Sequence, residues 1–275
     1  MLAALVIVFR EVIEAGMIVG IVAAVTKGVR GHGLWIAGGV LAGLLGSCLV
    51  AAFVGTIAAA FAGAGNELFN ASILGVAVVM LGWHNIWMAR HGREMASDLK
   101  QKGRAVASGR ASLWGLAVVI AIAVLREGSE VVLFLFGITV ADGGSPLALL
   151  AGGLGGVALG VLVSILTYAG LVNIPARYLF SVTSLLIAFL AAGMAAQAIS
   201  FLEQGGFISA LGTTVWNSSA ILSDRSIGGR ILHTMIGYSD RPSQMQLLAY
   251  LATLAAIFGL SRMLRPAHTA RPSAA

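Results

Sequence analysis

The chain has 275 residues, of which 59% are hydrophobic and only 10% are charged, and its formal net charge is +6. A soluble domain needs more charged surface than this, and repeated apolar runs of about 20 residues instead predict a polytopic helical membrane protein. The 36 glycines and 5 prolines suit close helix packing in lipid better than a β-barrel. The single cysteine, Cys48, excludes a disulfide framework and a cysteine-rich metal site.

Seven apolar runs are long enough to cross a membrane. The first one contains Arg10, Glu11 and Glu14 and lacks a basic leading segment, so we interpret it as a retained transmembrane helix and not as a signal peptide. The seven predicted spans lie at about residues 4–26, 34–61, 67–89, 113–140, 147–172, 179–202 and 244–263. We therefore expect an all-α integral membrane protein with one transmembrane domain over residues 1–265 and a disordered tail over residues 266–275.

The distribution of lysine and arginine predicts the orientation of these spans. With the amino terminus outside, twelve of the 17 basic residues fall on inner segments and three fall on one long outer loop. The other two, Arg10 and Arg126, lie within spans 1 and 4. The chain is therefore predicted to be N-out and C-in, and its positive charge is explained without nucleic acid.

Spans 1–3 and 4–6 are predicted to form an inverted repeat, over about residues 4–89 and 113–202, with span 7 added. In both halves the second span carries small residues at four-residue spacing: Gly39 and Gly43 in span 2, and Gly152, Gly156 and Gly160 in span 5. Inverted repeats typically place their substrate site at the interface between the repeats, near the membrane midplane.

Two polar segments connect the spans. The inner segment 90–112 is predicted to continue the helix of span 3 before a flexible turn. In the outer segment 203–243, apolar residues recur at helical spacing around Phe207–Val215 and Ile231–Ile236, which predicts short helices over the outer face.

A charged motif occurs twice inside these apolar runs, as Arg10-Glu11-Val12-Ile13-Glu14 in span 1 and as Arg126-Glu127-Gly128-Ser129-Glu130 in span 4. Two carboxylates three positions apart share one helix face, about one turn apart. An ionisable side chain near the centre of a bilayer costs roughly 2.5–3.5 kcal/mol, so three in one helix must be compensated by one another or by a bound ion.

Because spans 1 and 4 are predicted to be antiparallel, the two motifs can face each other and form one site. Four facing glutamates repel one another in a dry setting, and a multivalent cation relieves that repulsion. Carboxylate oxygens favour hard ions over soft ions such as Cu(I). If each arginine pairs with a glutamate of its own helix, the formal charge falls from −4 to −2. The alternative is that each motif is a structural salt bridge that locks the two helices together.

The Arg-Glu-x-x-Glu motif in spans 1 and 4 of a seven-span, N-out chain resembles the high-affinity iron permease family. These are the oxidase-dependent ferric iron transporters of bacteria and fungi, and they include the bacterial ferrous or ferric iron permease type. The common family form is Arg-Glu-Gly-Leu-Glu, from which the residues between the charges differ in both copies here. The resemblance extends to the outer segment around Trp216 and Gly237-Tyr238.

This resemblance implies a ligand set and a partner. It implies that ferric iron is carried by four glutamates, Glu11, Glu14, Glu127 and Glu130, with two supporting arginines, Arg10 and Arg126. It also implies an extracytoplasmic protein that oxidises or delivers iron. Relatives are linked to other metals, including lead, so a permease for lead or for a divalent transition metal is the alternative substrate assignment.

Three further residues are candidates for an ion pathway. His84 in span 3 lies towards the predicted inner end and could line an exit path, although a histidine ligand suits Fe(II) or Zn(II) better than Fe(III). Glu67, at the outer start of span 3, and Glu203, at the outer end of span 6, lie where an incoming cation would first be met. The common alternative for each residue is a packed histidine or an exposed interfacial carboxylate.

The sequence thus predicts an iron permease domain that imports ferric iron across a bacterial cytoplasmic (inner) membrane and is not an enzyme. Its expected partners are membrane lipid and the iron-oxidising or iron-delivering protein, with no permanently bound cofactor and no nucleic acid. No Walker loop, zinc-protease motif or serine-nucleophile motif occurs. A membrane enzyme that uses buried carboxylates is a lesser alternative, and a membrane sensor would need a longer inner segment.

Overall fold

Long apolar helices make up most of the chain in the computed structural model, which describes residues 1–61, 66–110, 112–142, 145–170, 176–224 and 226–263. The helices are α1 (Leu2–Val25), α2 (His32–Phe61), α3 (Asn66–Ala107), α4 (Leu113–Asp142), α5 (Pro146–Tyr168), α6 (Ala176–Gln204), α7 (Ile227–Ile236) and α8 (Gln244–Met263). The described residues contain no strand beyond one isolated bridge between Thr214 and Ser243. The predicted all-α class is therefore confirmed.

Five of the helices are long and apolar enough to cross a membrane: α2, α3, α5, α6 and α8. The other two long helices, α1 and α4, are as apolar as these over most of their length, but each carries one copy of the charged motif. The chain is therefore a multi-pass membrane protein. The count of seven spans, their orientation and the domain limits stay predictions, and the predicted tail 266–275 lies outside the described residues.

The helix ends follow from local chemistry. Ser145 accepts a hydrogen bond from the backbone N–H of Ala148, with Pro146 in the first turn, so α5 begins there. Gly237 has φ +69° and ends α7 in the left-handed conformation that glycine tolerates best. As predicted, α3 continues well past its apolar part, to Ala107.

The segment after α6 corrects one prediction. Residues 207–224 form turns, bends and irregular structure, although their apolar spacing predicted a helix around Phe207–Val215. Gly206, at φ +73°, turns the chain away from α6, and the backbone N–H of Val215 donates to Pro242 O at 2.9 Å. Pairing with the start of α8 therefore replaces helical hydrogen bonds here. The second predicted helix, around Ile231–Ile236, is present as α7.

Helices α1 and α4 cross in opposite directions at the centre of the fold. Ala3 and Ile7 of α1 share an apolar cluster with Phe134 and Ile138 of α4. A second cluster joins the other halves, with Ile18 and Val22 of α1 against Leu116 and Ile120 of α4. Helix α3 contributes to both clusters and runs parallel to α1. Since the charged motifs lie between these residues in both helices, they meet at the level between the two apolar clusters.

Two glycine-rich helices pack on this central pair: α2 packs against α4, and α5 packs against α1. A Cβ added to Gly43 of α2 would lie 2.6 Å from Val124 Cβ and 2.8 Å from Ala121 O of α4. A Cβ added to Gly156 of α5 would lie 2.7 Å from Leu5 O of α1. These distances are too short for any side chain, so glycine is what allows the helix backbones to approach so closely.

Candidate metal centre

The first motif is sealed inside the protein. Arg10, Glu11 and Glu14 project from one face of α1, and each is only 1% exposed. Arg10 Nε lies 2.9 Å from Glu14 Oε1, and Arg10 Nη1 lies 3.5 Å from Glu11 Oε1. One guanidinium therefore lies beside one oxygen of each carboxylate, and the second oxygen of each lies on the side of His84 in α3.

The second motif has the same internal pairing. Arg126 Nε donates to Glu130 Oε1 at 3.1 Å, one helical turn along α4. Glu127 is 2% exposed, whereas Glu130 is 13% and Arg126 is 35% exposed. Each arginine thus pairs with the glutamate four residues later in its own helix, and the formal charges of the six groups, all ionised, sum to −2.

His84 of α3 lies between the two motifs. Its Nε2 is 3.5 Å from Glu14 Oε2 and 4.0 Å from Glu11 Oε2, while its Nδ1 contacts Glu130 Oε2. The apolar part of α3 ends at Trp87, so His84 lies towards its end, as predicted. Its contacts with Glu11, Glu14 and Glu130 also place it level with both motifs, which the sequence did not predict.

One ligand atom from each of Glu11, His84, Glu127 and Glu130 lies within 4.8 Å of the others, and we name these four residues the central cluster. Glu14 lies beside it, held by Arg10 and His84. Glu11 Oε2 and Glu127 Oε2 are buried and accept no hydrogen bond from any described residue. Buried carboxylate oxygens without donors are costly, and a bound cation satisfies them. The donor set fits a hard or borderline cation such as iron.

The central cluster opens on one side into a cavity of about 310 Å³ between α3 and α4. We name it the α3–α4 cavity, and it is lined by Met80, Trp83, His84, Trp87, Arg126 and Glu130. The Arg126 guanidinium carbon lies 4.3 Å from the centroid of the Trp87 ring. Sequence reasoning missed Trp83 and Trp87; their one signal is that, with Met80, they share the helix face that carries His84.

The other two candidates, Glu67 and Glu203, are not part of this cluster. Glu67 is in the first turn of α3 and Glu203 in the last turn of α6, at the same end of the fold. Glu203 Oε1 accepts a hydrogen bond from Ser243 Oγ at 2.6 Å, and Oε2 accepts one from Gln246 Nε2 at 2.9 Å. Glu203 therefore anchors the start of α8, and a pathway role for either residue stays a prediction.

The charged motifs, His84 and the helices around them can be compared with known proteins. The profile of the Iron permease FTR1 family matches residues 1–265. Among curated proteins, "Ferrous iron permease EfeU" of Escherichia coli O6:K15:H31 (strain 536 / UPEC) is 33% identical over 245 residues, which is 86% of either chain. Its counterpart from Yersinia pestis is 32% identical over 250 residues, covering 89% of this chain and 87% of the relative. No solved structure gives a significant match. The chain belongs to the Iron permease FTR1 family.

Proposed function

We propose that this membrane protein imports iron through the central cluster, with the two Arg-Glu-x-x-Glu motifs as its ligand frame. Membership in an iron permease family supports iron transport, and the burial of Glu11, Glu14 and Glu127 between the facing motifs supports this particular site. The observation that carries the proposal is the set of donor-free carboxylate oxygens of Glu11 and Glu127 beside the His84 ring.

The charge balance supports a transported cation over a purely structural salt bridge. Two arginines neutralise two of the four glutamates, so the ionised motifs carry a formal charge of −2 at a largely buried site. Each ion removed from water costs several kcal/mol unless it is paired. A lock between helices would use equal numbers of both charges, whereas an excess of two carboxylates is suited to a metal ion that binds and leaves.

An inverted repeat with N-out orientation is part of this proposal, and the packing contacts support the repeat. The two motifs lie 116 residues apart, and Gly156 lies 113 residues after Gly43. A Cβ at Gly43 would meet Ala121 O and Val124 Cβ, and one at Gly156 would meet Leu5 O and Val8 Cβ. Leu5 and Val8 of α1 precede Ala121 and Val124 of α4 by 116 positions, the same separation as that of the two motifs. Equivalent glycines therefore contact equivalent atoms of the opposite half.

The oxidation state of the ion has two candidates. Ferric iron is the form that four hard carboxylates favour, and it is the form that the family resemblance implies. Ferrous iron is favoured by the imidazole of His84, since a nitrogen donor suits Fe(II) better, and by a residual charge of −2 that a divalent ion would balance. The relatives named above carry the name ferrous iron permease.

The setting of this transport follows the same reasoning. We place the protein in the bacterial inner membrane, where the excess of basic residues on one side favours N-out insertion. An extracytoplasmic protein that oxidises or delivers iron would supply the ion, and the ion itself is the cargo and not a resident cofactor. A permease for lead or a divalent transition metal uses the same frame and is the alternative to test.

Radioactive iron uptake by cells that express the protein tests the proposal. Glu11→Gln and Glu127→Gln should each abolish uptake while the protein still reaches the membrane, because each change removes a ligand oxygen without removing volume. Asp98→Asn, an exposed carboxylate on the far part of α3, is the matched control and should import normally.

Parallel uptake assays identify the ion. The same cells are offered iron with ascorbate, iron as a ferric chelate, Pb(II) and Mn(II). Glutamate-dependent uptake of a single one of these names the substrate, and uptake of iron that is unchanged in both variants would refute the site.

A further inference from the structure

The two motifs are equivalent in sequence but unequal in exposure. Arg10 and Glu14 are each 1% exposed, whereas Arg126 and Glu130 are 35% and 13% exposed. Since the pairing within each motif is the same, the difference comes from what covers them. The central cluster is therefore closed behind α1 and open beside α4.

The opening is the α3–α4 cavity. Two members of the central cluster, His84 and Glu130, form part of its wall, so the cavity leads directly to the ligand atoms. A volume of about 310 Å³ corresponds to roughly ten water molecules at liquid density, which is enough for a hydrated metal ion. Glu130 Oε2 is buried and accepts no hydrogen bond from the described residues other than the close contact of His84.

The positively charged side chain of Arg126 lines this same cavity. Arg126 would repel an incoming cation if its guanidinium lay across the cavity. Instead its carbon lies 4.3 Å from the centroid of the Trp87 ring, and its Nε donates to Glu130 Oε1, so it is held against the wall. An aromatic face attracts a guanidinium and thereby fixes its direction. The counterpart Arg10 is fully buried and is fixed by its surroundings.

We propose that the α3–α4 cavity is the aqueous portal through which the ion exchanges with the central cluster, and that Trp87 is a positioning residue that keeps Arg126 out of the path. This inference rests on the proposed function, because it assigns a route to the same site. It assigns entry and exit in this conformation to one side of the cluster, between α3 and α4.

Cysteine modification tests the portal in reconstituted full-length protein. The parent is Cys48→Ala, since Cys48 is an exposed residue of α2 and does not line the cavity. Met80→Cys places a thiol in the cavity wall, and Val79→Cys is the matched control because Val79 is 70% exposed but does not line the cavity. A small cationic thiosulfonate should modify Met80→Cys and reduce its iron uptake at least about fivefold, and iron should slow this modification. Treatment should leave uptake by Val79→Cys unchanged.

Two results would overturn the portal: absence of modification at Met80→Cys, or modification of Met80→Cys with uptake unaffected. Glu11→Gln in the same parent separates this failure from failure of the proposed function. If Glu11→Gln abolishes uptake while modification at Met80→Cys has no effect, the site stands and the portal falls. If Glu11→Gln imports iron normally, the site itself is refuted.

The role of Trp87 has its own readout. In the Met80→Cys protein, Trp87→Leu should slow modification by the cationic reagent about fivefold, because the released guanidinium moves into the cavity, and should leave modification by a neutral reagent unchanged. Trp87→Phe retains an aromatic face and should restore most of the rate. Equal effects of Trp87→Leu on both reagents, or no effect on either, would rule out the positioning role.

Discussion

Removal of Arg10 should destabilise the protein far more than removal of Arg126, although their sequence contexts are equivalent. The Arg10 side chain is 1% exposed, and its Nε lies 2.9 Å from Glu14 Oε1. Breaking a fully buried ion pair by removing one partner costs about 3–5 kcal/mol, because the other charge remains buried and unpaired. Arg10→Gln should therefore lower the free energy of unfolding by about that amount.

The Arg126 side chain is 35% exposed and lines the proposed aqueous portal, so water in the portal screens its pair with Glu130. That exposure reduces the loss expected for Arg126→Gln to about 1–2 kcal/mol, including the contact with Trp87. Thermal unfolding of the purified proteins in detergent measures both changes, and 1 kcal/mol corresponds to roughly 2–4 °C in a chain of this size. Arg104→Gln, at an exposed position of α3, is the control and should have no effect. Equal losses for Arg10→Gln and Arg126→Gln, or a larger loss for Arg126→Gln, would refute the reasoning.

Three further predictions follow from other contacts. Gly43→Ala should cost about 1–3 kcal/mol because its Cβ would lie 2.6 Å from Val124 Cβ, whereas Gly38→Ala in the same helix meets no atom within 4 Å and should be neutral; thermal unfolding compares them. His84→Gln should reduce ferrous uptake more than ferric uptake because it removes the nitrogen donor, and an unchanged ratio of the two rates would show that His84 is not a ligand. Glu203→Gln should lower stability by about 1–2 kcal/mol through its hydrogen bonds to the start of α8, and a loss of uptake at unchanged stability would instead support the predicted pathway role.

The sequence predicts the helices well because a membrane helix needs only length and apolarity. The seven long helices begin and end within about four residues of the predicted spans, apart from the polar continuation of α3 that was predicted separately. The failure around Phe207–Val215 has a physical cause. Apolar spacing indicates which side chains are buried, but it does not show where the backbone forms hydrogen bonds. The backbone of this segment bonds to residues near the start of α8, and such long-range pairing produces no local sequence periodicity.

The site was predictable to the extent that it depends on charge. An ionisable group in an apolar run is conspicuous, and duplicated motifs on antiparallel helices can face each other, so Glu11 and Glu127 could be assigned to one place from the sequence. The position of His84 could not, because it depends on the register of α3 against α1 and α4. The unequal exposure of Arg10 and Arg126 was also hidden, since it arises from the cover that neighbouring helices provide and not from the motifs.

The central claim is that the facing glutamates of α1 and α4 bind the transported iron. Equilibrium binding of iron to the purified protein, compared with a Glu11→Gln/Glu127→Gln double variant and the Asp98→Asn control, tests it most directly. We predict one iron site per chain in the unmodified protein and in Asp98→Asn. In the double variant the affinity for iron should fall by at least about a hundredfold, because two of the four candidate ligand carboxylates and imidazole groups are lost. Iron binding of equal affinity in the folded double variant would contradict the account.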